Sequence, residues 1–206
     1  MNKRVLWLLV AVNLIAAPAI FFTVNRMVNK KMVVYANPGA GSLADYGLIT
    51  DFALTEKSGT GVTLDHLKGS PWIANFMFTS CQGLCPMMNL KMSGLQNSLP
   101  AAMKLVSFTV DPGKDTPEVL LDYSKKYGAQ DGRWLFLTGS KETIDAVLTS
   151  VHFNKADNPD LHSARFVLVD SQFHIRGYYN SMDENDLKKI VEDAALLIGK
   201  EKGGRA

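Results

Sequence analysis

The chain has two cysteines, Cys81 and Cys85, and only three residues separate them. They follow an apolar run, residues 72–78, and Pro86 comes directly after them at the start of a segment with helical periodicity. Two thiols at such a strand-to-helix corner can form a reversible disulfide or bind a soft metal ion. A helix start lowers the pKa of a nearby thiol, because its dipole and free amide hydrogens favour the thiolate. We expect Cys85, next to Pro86, to be placed for this effect.

The spacing of the two cysteines limits the classes of thiol site to which the pair could belong. Thioredoxin-type oxidoreductases have two residues between their cysteines, whereas this loop has three. The hydroxyl residue that peroxiredoxin-type sites carry three positions before the reactive cysteine is missing, since Phe78 and Gln82 occupy those positions. A purely structural disulfide would close a very short loop and would add little stability. Metal binding and thiol–disulfide exchange are the interpretations that use both thiols.

The remaining pattern predicts an α/β fold, in which short apolar runs alternate with helical segments. A thiol pair after the first central strand, in this element order, is the layout of thioredoxin-like folds. We therefore expect a thioredoxin-like mixed sheet flanked by helices. The predicted elements are a hairpin over residues 52–64, strands at 72–78, 104–110 and 134–137, a second hairpin over 164–179, and helices at 86–98, 115–127, 140–151 and 183–198.

A metal site needs at least one further ligand, and His162 is the histidine best placed to supply it. It lies just before the apolar run 164–169. In thioredoxin-like folds the loop before this strand packs against the cysteine corner, so His162 would face the thiols. Two thiolates and one imidazole suit copper, since thiolates favour Cu(I) and imidazole also tolerates Cu(II). Zinc would accept the same ligands but usually takes four in structural sites.

The other histidines and the methionines near the cysteines have simpler interpretations. A lone histidine in a loop or at a helix end is usually structural, and helical spacing of methionines usually reflects core packing. Thioether sulfur can also contact copper transiently. The residues concerned are His66, His152 and His174, and Met87, Met88 and Met92.

The amino-terminal segment predicts a membrane anchor. Residues 5–24 are apolar except for Asn13 and Thr23, and as a helix they would span about 30 Å. A cleaved signal peptide is the alternative, because residues 17–19 resemble a cleavage site. Either interpretation places the rest of the chain on the non-cytoplasmic side of a membrane. The predicted organisation is an anchor at 1–24, a linker at 25–47, a domain at 48–199 and a polar tail at 200–206.

The composition argues against nucleic-acid binding. The 206 residues carry a formal net charge of +2, and 20% of them are charged. The basic residues are scattered, with no run long enough to follow a phosphate backbone.

Three separated motifs make the chain resemble the Sco/SenC family of thioredoxin-like copper chaperones. The first is Cys-x-x-x-Cys-Pro, residues 81–86, and the second is Val-Asp-Pro-x-x-Asp-Thr-Pro-Glu, residues 110–118. The third is His-Ser, residues 162–163, before a strand that ends in Asp170. The resemblance covers about residues 48–198, and the anchor layout is similar too. This chain departs from many members of the family in having Gln82 instead of proline after the first cysteine.

The resemblance implies a copper site made of Cys81, Cys85 and His162, with Asp111 close enough to help orient or release the metal. Asp111 is equally well explained as a turn residue, because Asp-Pro-Gly favours turns. The resemblance also implies delivery of copper, or of reducing equivalents, to the binuclear copper centre of cytochrome c oxidase. The partner would then be an apo-cuproprotein, the copper-binding subunit of that oxidase.

Three functions follow from these observations. A chaperone would pass copper by ligand exchange and would turn over no substrate, so it would not be an enzyme. A membrane-anchored thiol–disulfide oxidoreductase would reduce the cysteines of an apo-cuproprotein, and it would need no third ligand. A structural or regulatory interaction domain would keep its function without either cysteine. We expect the copper chaperone, with the oxidoreductase as the alternative.

Overall fold

The computed structural model describes residues 43–151 and 164–203, with side chains through residue 199. Within these two ranges no helix is both long enough and apolar enough to cross a bilayer. The predicted anchor, most of the predicted linker, His152 and His162 lie outside the described residues.

The centre of the domain is a mixed sheet of seven strands. The two middle connections are parallel, β3 with β4 and β4 with β5, and the outer pairs are antiparallel. The order across the sheet is β2-β1-β5-β4-β3-β6-β7. The strands are β1 (Ala53–Glu56), β2 (Gly61–Thr63), β3 (Trp72–Met77), β4 (Lys104–Thr109), β5 (Trp134–Thr138), β6 (Arg165–Val169) and β7 (Ile175–Asn180).

Helices cover the sheet on both faces, as the sequence predicts. They are α1 (Leu84–Ser98), α2 (Pro117–Lys125), α3 (Lys141–Ser150) and α4 (Glu184–Gly203), and a short 3-10 turn occupies Leu64–Leu67.

Strand β3 shows why both faces are buried. Alternate side chains of a strand point to opposite faces, and all six residues of β3 are buried. Trp72 and Phe76 belong to a core that includes residues of α3, whereas Ile73 and Met77 belong to a core with residues of α1, α2 and α4. The second core also contains both cysteines.

Most element boundaries agree with the sequence prediction to within two residues, and three differences bear on the site or on the limits of the domain. Residues 43–47, assigned to the linker, contact the domain: the Tyr46 amide donates to the Ile175 carbonyl, and the Ile175 amide donates to the Gly47 carbonyl. Helix α1 begins at Leu84 rather than Pro86. Helix α4 continues to Gly203, past the predicted end at residue 198, because residues 200–202 are good helix formers.

Candidate metal centre

The two cysteines lie at the connection between β3 and α1. Cys81 is in the loop after β3, and its amide donates to the Phe78 carbonyl at 3.3 Å. Cys85 is the second residue of α1. Both thiols are free, and the residues are only 6% and 2% exposed. The structure therefore places two free, almost fully buried thiols in the second core.

The two thiols differ in their acidity. Burial alone would raise the pKa of Cys81, but hydrogen bonding by the Cys85 amide and thiol, and by the amides of Gly83 and Leu84, lowers it below the ordinary value. Burial, together with the neighbouring Cys81, raises the pKa of Cys85 to about 12. Cys81 is thus the more acidic thiol of the pair, and the expectation for Cys85 was wrong.

The early start of α1 explains this reversal. The first amides of a helix have no intrahelical acceptor, and here they include the amides of Leu84 and Cys85. Gly83 precedes the helix and supplies no side-chain cap. The Cys81 sulfur accepts from the amides of Gly83, Leu84 and Cys85, whereas of these three only the Cys85 amide also favours the Cys85 thiolate, and there burial outweighs it. Pro86 has no amide hydrogen to contribute.

Asp115 holds the cysteine loop in place. This carboxylate is fully buried, and it accepts hydrogen bonds from the Thr79 amide and hydroxyl, two residues before Cys81. The Thr109 hydroxyl at the end of β4 also donates to it. Because parallel strands end at the same edge of a sheet, the end of β4 can support the loop that follows β3.

A buried polar chain fixes α1 against the sheet. Asn89, one turn after Cys85, accepts from the Asn75 amide group of β3 at 3.0 Å and donates to the Tyr123 hydroxyl of α2 at 3.0 Å. The Ser107 hydroxyl of β4 donates to the Asn75 side-chain oxygen at 2.6 Å. Asn75, Asn89 and Ser107 are fully buried, so breaking one link would leave unpaired polar atoms in the core.

Strand β6 begins at the edge of the sheet where the cysteine loop leaves β3. It runs antiparallel to β3, with Trp72 opposite Val169 and Ala74 opposite Val167. The start of β6 therefore lies toward the end of β3. Ala164, the residue before β6, packs against the core that contains both cysteines. His162, two positions earlier in the sequence, lies outside the described residues.

The Asp111 side chain is not the carboxylate that contacts the cysteine loop. It forms an ion pair with Lys114, whose Nζ lies 3.1 Å from Asp111 Oδ2. Its carbonyl accepts from the amides of Lys114 and Asp115, which closes a turn. The turn interpretation is thus visible in the structure, whereas a role for Asp111 toward a metal stays a prediction.

The histidines that the structure describes have structural partners. His66 Nδ1 accepts from the Thr63 amide at 3.0 Å and closes the start of the 3-10 turn. His174 Nδ1 lies 2.8 Å from Asp45 Oδ2. Across residues 43–151 and 164–203 no three histidine, cysteine or acidic residues cluster as a metal site would require.

Two of the three methionines pack as predicted. Met88 and Met92 are 1% and 0% exposed and belong to the second core. Met87 is 48% exposed, so the prediction of core packing was wrong for this residue. Met87 lies on the exposed side of α1, because the burial of Cys85 and Asn89 determines which side of the helix faces the core.

The chain matches the SCO1/SenC family over residues 42–198. It belongs to that family. Among its relatives is a SCO1 protein homolog from Bacillus subtilis, 29% identical over 154 residues, which cover 70% of this chain and 80% of the homolog.

Solved structures of this family share the fold. BsSco, a member of the Sco family of cytochrome c oxidase assembly proteins in which a disulfide switch was identified, is 30% identical, with a TM-score of 0.65 over 75% of this chain and 94% of BsSco. Copper-bound ScoI from Bradyrhizobium japonicum is 23% identical, with a TM-score of 0.59 over 73% of this chain and 99% of ScoI. The predicted mixed α/β thioredoxin-like fold is confirmed.

The sequence interpretation missed Asp115, Asn89 and Asn75 as supports of the site. One signal was present for Asp115, because the second motif contains two aspartates and only one of them can begin its Asp-Pro-Gly turn. Asn75 is a polar residue inside an otherwise apolar run, and such a residue usually needs a buried partner.

Proposed function

We propose that this SCO1/SenC protein binds copper through Cys81, Cys85 and His162 and delivers it to the binuclear copper site of cytochrome c oxidase. The observation that carries the proposal is the pair of free, buried thiols at the open start of α1. Two adjacent soft sulfurs are a donor set that favours Cu(I) over harder cations. Copper is the cargo, and the chain itself turns over no substrate.

The position of β6 supports His162 as the third ligand. Ala164 packs against the core that holds the cysteines, and two residues reach at most about 7 Å. Imidazole beside two thiolates would allow Cu(II) as well as Cu(I). The copper-bound state of the Bradyrhizobium relative and the assembly role of the Sco family of BsSco support the same function.

Anaerobic copper titration of the reduced full-length chain tests the site. We expect one tight equivalent, with a Cu(II) thiolate absorption band that His162→Ala removes. His66→Ala is the matched control, since His66 closes a 3-10 turn and its loss should leave the band unchanged. Retention of the wild-type Cu(II) affinity in His162→Ala would exclude His162 as a ligand.

Thiol–disulfide exchange is the second candidate function, and the unequal thiol pair favours it. The Cys81 thiolate would attack a target disulfide and form a mixed disulfide. Cys85 would then lose its proton and attack the Cys81 sulfur, which releases the reduced target and leaves a Cys81–Cys85 disulfide. Reduction of an apo-cuproprotein at an equal rate by wild type and His162→Ala, without stable copper binding, would favour this function.

We also propose that residues 1–24 anchor the protein and that its domain lies on the non-cytoplasmic side, with 25–42 as the linker. The apolar length of the segment supports this organisation. Alkaline extraction of membranes from cells that express the chain tests it. The full chain should stay in the membrane fraction, and a chain that lacks residues 1–24 should be released.

A further inference from the structure

The outward side of α1 carries an exposed apolar surface. Leu84, Met87 and Leu90 are 37%, 48% and 55% exposed. Residues three apart in a helix are neighbours on its surface, so the three side chains form one continuous patch, called here the α1 patch. Apolar surface of this kind beside a functional site is typical of protein contacts.

The α1 patch carries no free charge. Lys91 is the sole charged residue of α1, and its Nζ lies 2.6 Å from Glu184 Oε1 of α4. A helix that lies on a membrane surface usually has several lysines or arginines beside its apolar side. This helix lacks them, so its surface suits a protein with an apolar, uncharged contact region.

The α1 patch is continuous with the metal centre. Leu84 lies between the two cysteines in the sequence, and Gln82 and Gly83 are exposed beside it. Cys81 itself is only 6% exposed, and the exposed residues next to it in the chain are Ser80 and Gln82. An acceptor that takes a metal ion by ligand exchange must bring its own sulfur within bonding distance, about 2.3 Å from a thiolate-bound metal. Such a surface comes against the exposed residues around the cysteines, and Leu84 is the one of them that belongs to the α1 patch.

We propose that the α1 patch is the docking surface for the protein that exchanges copper with this chain. The partner presents its copper-binding thiolates in a loop bordered by apolar side chains, which pack on Leu84, Met87 and Leu90. Met87 suits such a contact because its flexible, polarizable side chain adapts to different surfaces. This inference rests on the proposed delivery of copper.

Substitutions of Leu90 test the docking surface, because this residue is far enough along α1 to leave the thiols intact. The probe is the reduced, metal-free soluble copper-binding domain of a cytochrome c oxidase subunit, mixed with the copper-loaded full-length chain. Affinity of the complex and rate of copper transfer are measured separately. Leu90→Glu and Leu90→Lys should each weaken binding and slow transfer at least about tenfold, while Cu(I) affinity stays at the wild-type value.

Leu196→Glu is the matched control. Leu196 is 44% exposed on α4, and twelve residues of helix, about 18 Å, separate it from Glu184 beside α1. Its binding and transfer should stay within about twofold of wild type. Equal losses in Leu90→Glu and Leu196→Glu, or no loss in either Leu90 variant, would overturn the proposal.

The two readouts separate docking from delivery. A complex that depends on Leu90 but passes no copper would support the docking surface and reject delivery. Copper transfer at one rate in all variants would reject the docking surface and leave delivery standing. A domain that neither binds nor receives copper from wild type would reject both. Self-association of wild type that Leu90→Glu abolishes, without binding of the domain, would make the patch an interface between copies and overturn the proposal.

Discussion

The start of α1 differs from the starts of the other three helices. The Thr116 hydroxyl caps α2 by accepting from the Val119 amide, and Ser140 caps α3 by accepting from the Thr143 amide. Asp183 does the same for α4, where its Oδ1 accepts from the Asn185 amide at 2.8 Å. Among these helices only α1 is preceded by a glycine, Gly83, which supplies no side-chain cap. Its amides instead favour the ionised sulfur of Cys81.

This difference shows how an uncapped helix start can lower the pKa of a nearby thiol. A serine, threonine or aspartate cap satisfies the amides and contributes about 1 kcal/mol to stability. When the cap is left out, the same amides remain available to a thiolate, and through it to a soft metal ion. Asp115 and the polar chain through Asn89 then hold the uncapped loop and helix in position.

Cys81→Ser breaks the comparison most strongly, because it replaces the thiolate with a hydroxyl near the open amides of α1. We expect copper affinity to fall more than about 100-fold, since even groups outside the ligand shell contribute 10- to 100-fold. The free energy of unfolding should change by less than about 1 kcal/mol, because the hydroxyl can accept the same hydrogen bonds. Copper competition and urea unfolding measure the two effects. Wild-type copper affinity would contradict the assignment of Cys81.

Asp115→Asn tests the support of the loop. The neutral side chain keeps its size but loses charge-assisted hydrogen bonds from Thr79 and Thr109, which should lower the free energy of unfolding by about 2 kcal/mol. Asp111→Asn is the control, since its ion pair with the exposed Lys114 is worth at most about 1 kcal/mol. Urea unfolding of both variants distinguishes them. An equal or larger loss in Asp111→Asn would show that the wrong aspartate has been assigned as the support.

Ser140→Ala tests the comparison at a helix that has a side-chain cap. Removal of an ordinary cap should lower the free energy of unfolding by about 1 kcal/mol. Copper affinity should not change, because α3 packs on the face of the sheet opposite the cysteines. Thermal unfolding and copper titration check both parts. A loss of copper affinity in Ser140→Ala would mean that the two faces are coupled.

Much of the fold was predictable because local patterns and tertiary packing agree. The apolar run that became β3 is buried on both faces, and the hairpin of β6 and β7 forms around its predicted turn. Polar capping residues before α2 and α3 marked their starts well, as Thr116 and Ser140 show. The three motifs also identified the family correctly.

The predictions that failed concern a helix boundary or the burial of a side chain in the folded domain. Helix α1 starts two residues before Pro86, since proline is tolerated in the first turn of a helix. Because of this shift, Cys81 and not Cys85 is the more acidic thiol. The packing of Asp115 depends on β4 lying beside β3, which no local pattern contains. Exposure of Met87 depends on the rotation of α1 about its axis. That rotation follows from the burial of Cys85 and Asn89 in the folded domain.

We infer that the start of α1 makes Cys81 the more acidic thiol, and we propose that both cysteines bind copper. Alkylation of the reduced full-length chain with iodoacetamide from pH 6 to 10, followed by peptide mass spectrometry, tests it most directly. The lowered pKa of Cys81 predicts labelling at a lower pH than for an ordinary cysteine, and the raised pKa of Cys85 predicts almost no labelling over this range. One equivalent of Cu(I) should block the labelling of Cys81. Labelling of Cys85 at or before Cys81, or labelling that copper leaves unchanged, would contradict the account.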